Sequence, residues 1–182
     1  MVNLSSAGFK VLLGGCVMWT LAGSAADGIW TNRASGVWSD SAKWADGTVA
    51  GGGGVATFQA PSGSYNITND VGTITLSGLR ANPDSTPGSQ ATEWKLFGGT
   101  IDLVGAAVLD TTAHGLNLRG TTLSGNTDVT ITGLGRTFLG DDNLFTGRTI
   151  VSNGNARVAR DSGFGPVPVS YTHLTLPTKR IV

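Results

Sequence analysis

Three tryptophans near the start of the chain, Trp30, Trp38 and Trp44, are the residues whose type and spacing could support binding. An indole ring is a broad apolar plate, so an exposed set of them can stack on sugar rings. The same rings packed together can instead close the open end of a sheet against edge pairing. Four glycines at residues 51–54 would form a flexible loop beside them. We expect a structural cap here, with carbohydrate contact by the three tryptophans as the alternative.

Acidic and nucleophilic residues do not form a pattern that predicts catalysis. Glycoside hydrolysis needs two carboxylates that face one cleft, but Glu93 is the only Glu, and Asp141 and Asp142 lie in "GDDN", which is typical of a turn. His114 is the only His before residue 169, and no serine lies in a nucleophile-elbow pattern. The acids also lack the regular spacing of calcium-binding repeats. We predict no catalytic residue, no metal site and no cofactor.

Composition favours short strands and turns over helices. Gly contributes 28 of the 182 residues, and only 13% are charged. Gly, Thr, Asn and Ser all lower helix propensity, whereas Thr suits strands and the others suit turns. Residues 27–168 contain nine Lys and Arg against twelve Asp and Glu, a formal charge of −3. No basic run or patch is visible, and this argues against nucleic-acid binding.

The first 26 residues are typical of a secretory signal peptide. Lys10 precedes an apolar run over residues 11–21, and "AGSAAD" follows it. We place cleavage after Ala26, with Ala25 as the near alternative. The run has about half the roughly 20 residues that a membrane span needs. The chain is therefore expected to be exported, to the extracellular space or the outer cell surface.

The only cysteine, Cys16, lies inside this apolar run. "LGGC" at residues 13–16 resembles a lipoprotein processing box, but the apolar stretch that follows Lys10 is then only Val11, Leu12 and Leu13. That stretch is too short for a signal core, so we interpret Cys16 as part of the apolar run. Removal of the signal peptide would then leave a chain without cysteine, in which no disulfide can form.

Beyond residue 27 the hydrophobic pattern has period two, in short bursts. "TITL" at residues 73–76, "TIDLV" at 100–104 and "DVTIT" at 128–132 alternate in this way, and turn signals such as "SGN" and "SNG" separate the bursts. Further bursts occur at residues 115–120, 148–152 and 155–159. The pattern predicts an all-β protein. We favour a right-handed parallel β-helix, a solenoid of stacked coils, over a β-sandwich built from hairpins.

Two stretches resemble secreted bacterial proteins of the autotransporter-associated β-strand repeat type. In that family mature chains open with a segment such as "G-x-W-S-D-x-x-x-W", matched here by "GVWSDSAKW" at residues 36–44. The repeat "N-x-F-T-G-x-T-x-I-x-x-G-x-x-x-V" is similar to residues 143–158. The matching positions include Asn143, Phe145, Gly147 and Gly154, with Arg148 where a second glycine is usual.

The resemblance implies a passenger-like β-helix at the cell surface and an N-terminal fragment of a longer protein. It divides the chain into a signal peptide (1–26), a Trp- and Gly-rich cap (27–60) and truncated β-helix repeats (61–168). Its implied function is structural or adhesin-like, without catalysis. A carbohydrate-binding module is the alternative, and a polysaccharide-degrading enzyme ranks below it. Surface glycans or other cells are the expected partners, with no membrane span here and an anchor expected further downstream.

The last fourteen residues differ from everything before them. Residues 169–182 contain no glycine, although glycine is frequent up to residue 165. "VSYTHLTLPT" at residues 169–178 resembles the translated end of a sequencing-library adapter. We interpret residues 169–182 as a non-native tail, which would lie disordered or extended beyond the last coil. His173 and Tyr171 then have no function.

Overall fold

The structure is a computed structural model, and it describes residues 24–59, 63–81, 93–112, 114–140, 142–166 and the backbone of 169–171. Most of the predicted signal peptide, Asp141 and residues 172–182 therefore lie outside the described residues. Residues 82–92, in the middle of the segment interpreted as repeats, lie outside them too.

Strands dominate the described part of the chain, as the alternating pattern predicts. Seven come before residue 111: β1 (Gly28–Trp30), β2 (Gly36–Val37), β3 (Gly54–Phe58), β4 (Ser64–Thr68), β5 (Thr73–Ala81), β6 (Glu93–Phe97) and β7 (Thr100–Asp110). Seven follow: β8 (Gly115–Leu118), β9 (Thr122–Ser124), β10 (Val129–Thr132), β11 (Arg136–Leu139), β12 (Thr149–Val151), β13 (Asn155–Val158) and β14 (Val169–Tyr171). The helical segments described are three short 3₁₀ turns, Ser41–Lys43, Ala45–Gly47 and Asp161–Phe164. The all-β prediction is confirmed.

The strands form two sheets, and the chain moves from one to the other at nearly every step. The first sheet has the order β1-β3-β5-β7-β10-β12-β14, with β9 also beside β7, and the second has the order β2-β4-β6-β8-β11-β13. All pairings between these strands are parallel. Because a hairpin makes antiparallel neighbours, the hairpins of the sandwich alternative are not found among the described strands.

One hydrophobic core lies between the two sheets. Every second residue of β4, β6 and β11 is buried, so each strand contributes one face to this core. Equivalent positions stack along the sheet: Tyr65 pairs with Trp94, and Trp94 with Leu116 on the next strand. Phe58 of the first sheet stacks on Trp94 of the second at 5.4 Å between ring centroids, which shows that the inner faces meet.

Side chains near the C-terminus bridge positions that lie 20 residues apart. Asn143 is 4% exposed, accepts a hydrogen bond from the Leu123 backbone N–H at 2.8 Å and donates to the Gly163 carbonyl at 2.6 Å. Each of these partners lies 20 positions away, one before and one after. We call each stretch of chain that crosses both sheets once and returns to an equivalent position a pass. A single amide therefore satisfies backbone groups on both neighbouring passes, and these groups would otherwise be buried without a partner.

The residues of the repeat-like segment have structural roles here. Phe145 is fully buried. Gly147 is not among the positive-φ glycines, and a Cβ there would overlap the Thr127 carbonyl oxygen. Its requirement is a close approach between chain passes. Gly154 does adopt φ 137° at its corner, which favours glycine.

The start of the atypical tail continues the first sheet. The backbone of β14 pairs in parallel with β12, with residues 149–151 opposite 169–171. These three residues are extended beyond β12, and the remainder of the tail lies outside the described residues. None of the helices in the described part of the chain reaches the length and hydropathy needed to span a bilayer.

Candidate functional site

The three tryptophans form one cluster at the N-terminal edge of the two sheets, where β1 and β2 are the edge strands. Trp44 packs edge-to-face on Trp30 and on Trp38, with centroids 5.3 and 4.9 Å apart. Their exposed fractions are 0%, 1% and 3% for Trp30, Trp38 and Trp44. The indole N–H of Trp38 donates to the Ala50 carbonyl, and that of Trp44 donates to the Trp38 carbonyl.

This geometry bears on the two roles considered for the cluster. Stacking on a sugar requires a ring face that solvent can reach, and these rings are covered by one another and by Phe58. Carbohydrate contact through Trp30, Trp38 or Trp44 stays a prediction, and it would require the cluster to open. In the structure as it stands, the rings contribute to the core.

The glycine segment beside the cluster is a hydrogen-bonded turn that leads into β3. Ala26 and Gly51 exchange two backbone hydrogen bonds of 2.9 and 3.0 Å, and the Gly53 N–H donates to the Thr75 carbonyl at 2.9 Å. We expected a flexible loop, but these bonds tie the turn to the chain on both sides. Ala26, next to the expected signal cleavage site, is thus part of the folded region.

The acidic and histidine candidates are dispersed. His114 is buried, with 1% exposure. Asp142 is exposed, accepts a hydrogen bond from the Ser162 hydroxyl and lies 3.6 Å from Nη1 of Arg160. Within the described ranges, no group of three His, Cys, Asp or Glu is placed to hold a metal ion.

A separate concavity lies on the outer face of the second sheet. It is a groove of about 470 Å³ across β6, β8, β11 and β13. Four cations and two aromatic rings line it: Lys95, Arg119, Arg136, Arg157, Phe97 and Phe138. We name this surface the basic groove. Its side chains occupy outward positions, which alternate with the buried positions on the same strands.

Strand register explains why these residues meet. Lys95 pairs with Asn117, Asn117 with Phe138 and Phe138 with Arg157, so one outward row crosses four strands. Neighbouring parallel strands lie about 4.8 Å apart. Residues separated by some 20 positions in sequence are therefore side by side in space.

Glu93 organises the cations at one side of the basic groove. Its carboxylate accepts hydrogen bonds from Asn117 Nδ2 and Arg136 Nη2, both at 3.1 Å, and lies 3.4 Å from Lys95 Nζ. Partial burial by itself raises the pKa of Glu93, but the hydrogen bonds from Asn117, Arg136 and Lys95 outweigh it and hold that pKa below its ordinary value. Glu93 is therefore ionised at neutral pH.

The contact between Glu93 and Arg136 passes over an intervening strand. In β8, Gly115 is opposite Glu93 of β6, and Leu116 is opposite Thr137 of β11. Since Arg136 directly precedes Thr137, Gly115 lies between Glu93 and Arg136. Because Gly115 has no side chain, the carboxylate and the guanidinium can meet above it. The contact spans 43 positions in sequence.

On the other side of the basic groove, the charges of the arginines are not paired with a carboxylate among the described residues. The guanidinium of Arg119 lies 5.1 Å from the centroid of the Phe138 ring, a cation–π distance. Arg157 is exposed, and none of the ion pairs seen among the described residues includes it. With one carboxylate against four cations, the surface has a formal charge of +3.

Sequence reasoning missed this surface. We expected no basic patch, and this is wrong, because the cations are scattered in sequence and assembled by the stacking of strands. A detectable signal exists: Lys95, Arg119, Arg136 and Arg157 occupy outward positions of successive strands of the second sheet or the turns after them. The register needed to align them is not visible in the sequence.

Comparison of the chain with protein-family models, with curated proteins and with solved structures finds no match in any of the three. The resemblance to autotransporter-associated repeats therefore depends on the residues quoted above.

Proposed function

We propose that this chain is part of an exported, surface-exposed β-helix with a structural, adhesin-like function and no catalytic activity in this part. The observation that supports it is the repeated return of the chain to the same two parallel sheets. Such a stack can be lengthened by adding coils, because each coil contacts only its neighbours. An extended shape of this kind suits a stalk that presents a surface at a distance from the cell.

The sheet arrangement favours a β-helix over other all-β folds. Parallel sheets of other folds have helices on both faces, whereas in the described region the outer face of the second sheet carries the basic groove. The chain alternates between the sheets, and many of its described turns contain a glycine with positive φ. Stacked coils are the known all-β solution that keeps every neighbour parallel in this way.

The family resemblance is part of the same proposal. Asn143, Phe145 and Gly147 match the repeat motif, and each has a role that a repeat would conserve. Asn143 joins neighbouring passes of the chain, Phe145 fills the core, and Gly147 permits a close approach between passes. The exported location rests on the signal-like first 26 residues.

Whole-coil insertion tests the β-helix. A second copy of residues 123–142 placed between Asp142 and Asn143 adds one pass of 20 residues, and a copy of residues 123–132 alone adds half a pass. We expect the whole-coil variant to keep the circular dichroism and protease resistance of the parent. The half-coil variant should lose both, because it places β12 and β13, which follow the insertion, on the wrong sheets. Equal damage by the two insertions would contradict a β-helix.

Export and adhesion are tested separately. The full chain expressed in a bacterial host should leave the cytoplasm, and a version that lacks residues 2–26 should stay inside. Beads coated with the exported chain should adhere to bacterial cells more than beads coated with a heat-unfolded sample. Retention of both versions in the cytoplasm, or equal adhesion of the two bead samples, would contradict the proposal.

A further inference from the structure

The basic groove has the chemistry of a binding site, and none of the roles proposed above uses it. It combines cations, an organising carboxylate and two aromatic rings on one outward surface. It lies on another part of the fold from the tryptophan cluster, since its residues come from β6, β8, β11 and β13.

We propose that the basic groove binds an acidic oligosaccharide, a chain of pyranose rings that carry carboxylate groups. Arginine suits this ligand because its planar guanidinium donates two parallel hydrogen bonds to one carboxylate. Phe97 and Phe138 provide apolar surface on which the flat faces of sugar rings can pack. The groove crosses four strands, so it can hold several consecutive sugars.

The cations differ in how free they are to bind. Lys95 and Arg136 are held by Glu93, which fixes them at one side of the groove. Arg157 is exposed, and Arg119 lies over the Phe138 ring. We therefore assign the direct carboxylate contacts to Arg119 and Arg157, and the orientation of the other two cations to Glu93.

Arg136 has a further feature that suits a site. Its Nε is buried and has no hydrogen-bond partner among the described residues, while Nη2 is held by Glu93. A buried donor without an acceptor is unfavourable, because it has lost its hydrogen bonds to water. A ligand oxygen that enters the groove at this point would supply the missing acceptor.

Charge favours a saccharide over a nucleic acid as the occupant. Nucleic-acid-binding domains have a pI above about 9 and commonly contact 6–10 phosphates. This chain has a sequence pI of about 6.7, and its groove has four cations. The proposal also rests on the exported location proposed above for the choice of an extracellular polysaccharide.

Calorimetric titration of the full chain with oligogalacturonate tests the proposal. Fully methyl-esterified oligogalacturonate has the same rings without the charges, and it serves as the matched ligand control. We expect binding of the acid form, at least tenfold weaker binding of the ester, and weakening with added salt because the charges are screened.

The paired variant Arg119→Gln/Arg157→Gln should weaken binding at least tenfold and leave the Glu93 contacts intact. Arg80→Gln is the matched control, because Arg80 is an exposed arginine on a strand of the first sheet. It should change the affinity less than twofold. If the paired variant fails to fold, the ligand comparison on the unaltered chain still decides.

Several outcomes would overturn the proposal. They are no binding of the acid form, equal binding of acid and ester, equal loss in the Arg80 control, or tighter binding of single-stranded DNA than of the saccharide. Export of the chain without saccharide binding would overturn this inference alone. Binding by a chain that stays in the cytoplasm would overturn only the proposed location.

Discussion

The N-terminal and C-terminal ends of the two sheets differ in the number of residues that separate hydrogen-bonded positions on neighbouring passes. Near the N-terminus, Ser39 contacts Asp70 and Ser35 contacts Asn66, each 31 residues away. Near the C-terminus, the corresponding contacts of Asn143 span 20 residues. In between, the separation is 24 residues for Glu93 with Asn117.

The interior changes together with this distance. The N-terminal core is filled by large rings, which are Trp30, Trp38, Trp44, Phe58, Tyr65 and Trp94. The C-terminal core is mostly aliphatic, and a buried amide and threonines lie among its apolar side chains. The large rings lie where the contacts span 31 residues, and the buried amide of Asn143 lies where they span 20. Stability therefore depends on ring packing at one end and on repeated hydrogen bonds at the other.

Removing a ring from the N-terminal interior should have the largest effect. Trp94 is fully buried between Phe58 and Tyr65, with centroids at 5.4 and 4.6 Å. We expect Trp94→Ala to lower the free energy of unfolding by about 3–5 kcal/mol, because a large cavity forms. Urea denaturation measures this change.

Leu144→Ala is the control for ring removal, because Leu144 is 64% exposed at the other end of the stack. Its effect should be within about 0.5 kcal/mol. An effect of Trp94→Ala below about 1 kcal/mol would show that the N-terminal interior does not depend on this ring.

Loss of the amide at Asn143 should have the next largest effect. In Asn143→Ala, the Leu123 N–H and the Gly163 carbonyl lose their partners, so we expect a loss of about 2–4 kcal/mol in the free energy of unfolding. Hydrogen exchange should accelerate first at residues 121–166. Asn126→Ala, which removes only an exposed contact to Thr146, should be nearly silent. Equal effects of the two variants would remove the special role of the buried amide.

A methyl group at Gly147 tests the close approach between passes. The Cβ of Gly147→Ala would overlap the Thr127 backbone, and we expect a cost of about 1–3 kcal/mol in thermal or urea unfolding. Gly51→Ala is the matched change in the N-terminal turn, where a Cβ meets nothing within 4 Å and φ is not positive. That variant should be neutral. The comparison fails if Gly147→Ala is equally neutral.

The exposed pair of Asp128 and Arg148 should have the smallest effect. Hydrogen bonds from the Arg148 side chain and backbone hold the pKa of Asp128 below its ordinary value. Its stabilisation is therefore present above that ordinary value and is lost as the pH falls through the lowered one. We expect Arg148→Gln to have a slightly lower melting temperature than the parent at pH 7 and the same melting temperature near pH 2. A difference that persists at pH 2 would assign another role to Arg148.

The strands were readable from the sequence where a polar outer face alternates with an apolar inner face. The bursts at residues 73–76, 100–104 and 128–132 lie in β5, β7 and β10 or adjoin them by one residue. The same alternation does not reveal which strand lies beside which. Parallel register depends on the length of each pass, and that length falls from 31 to 20 residues along the chain.

The basic groove was hidden for the same reason. Lys95 and Arg157 are separated by three passes of the chain, so only the register shows that they share a row. The role of Gly147 could not be read from the sequence either, because a glycine can serve a positive φ or a close approach, and the sequence does not distinguish these. The positions quoted for the resemblance, Asn143, Phe145 and Gly147, have roles in packing and hydrogen bonding that the sequence alone did not reveal.

The length of each pass also sets the mechanical response of the stack. If the ends are pulled apart and one pass detaches at a time, a pass of n residues releases at most about 3.3–3.6 Å × n of chain. The 20-residue spacing of the Asn143 contacts then gives steps of about 70 Å, and the 31-residue spacing at Ser39 gives steps of about 105 Å. Under force the protein should extend in steps that are long near its N-terminus and become shorter towards its C-terminus.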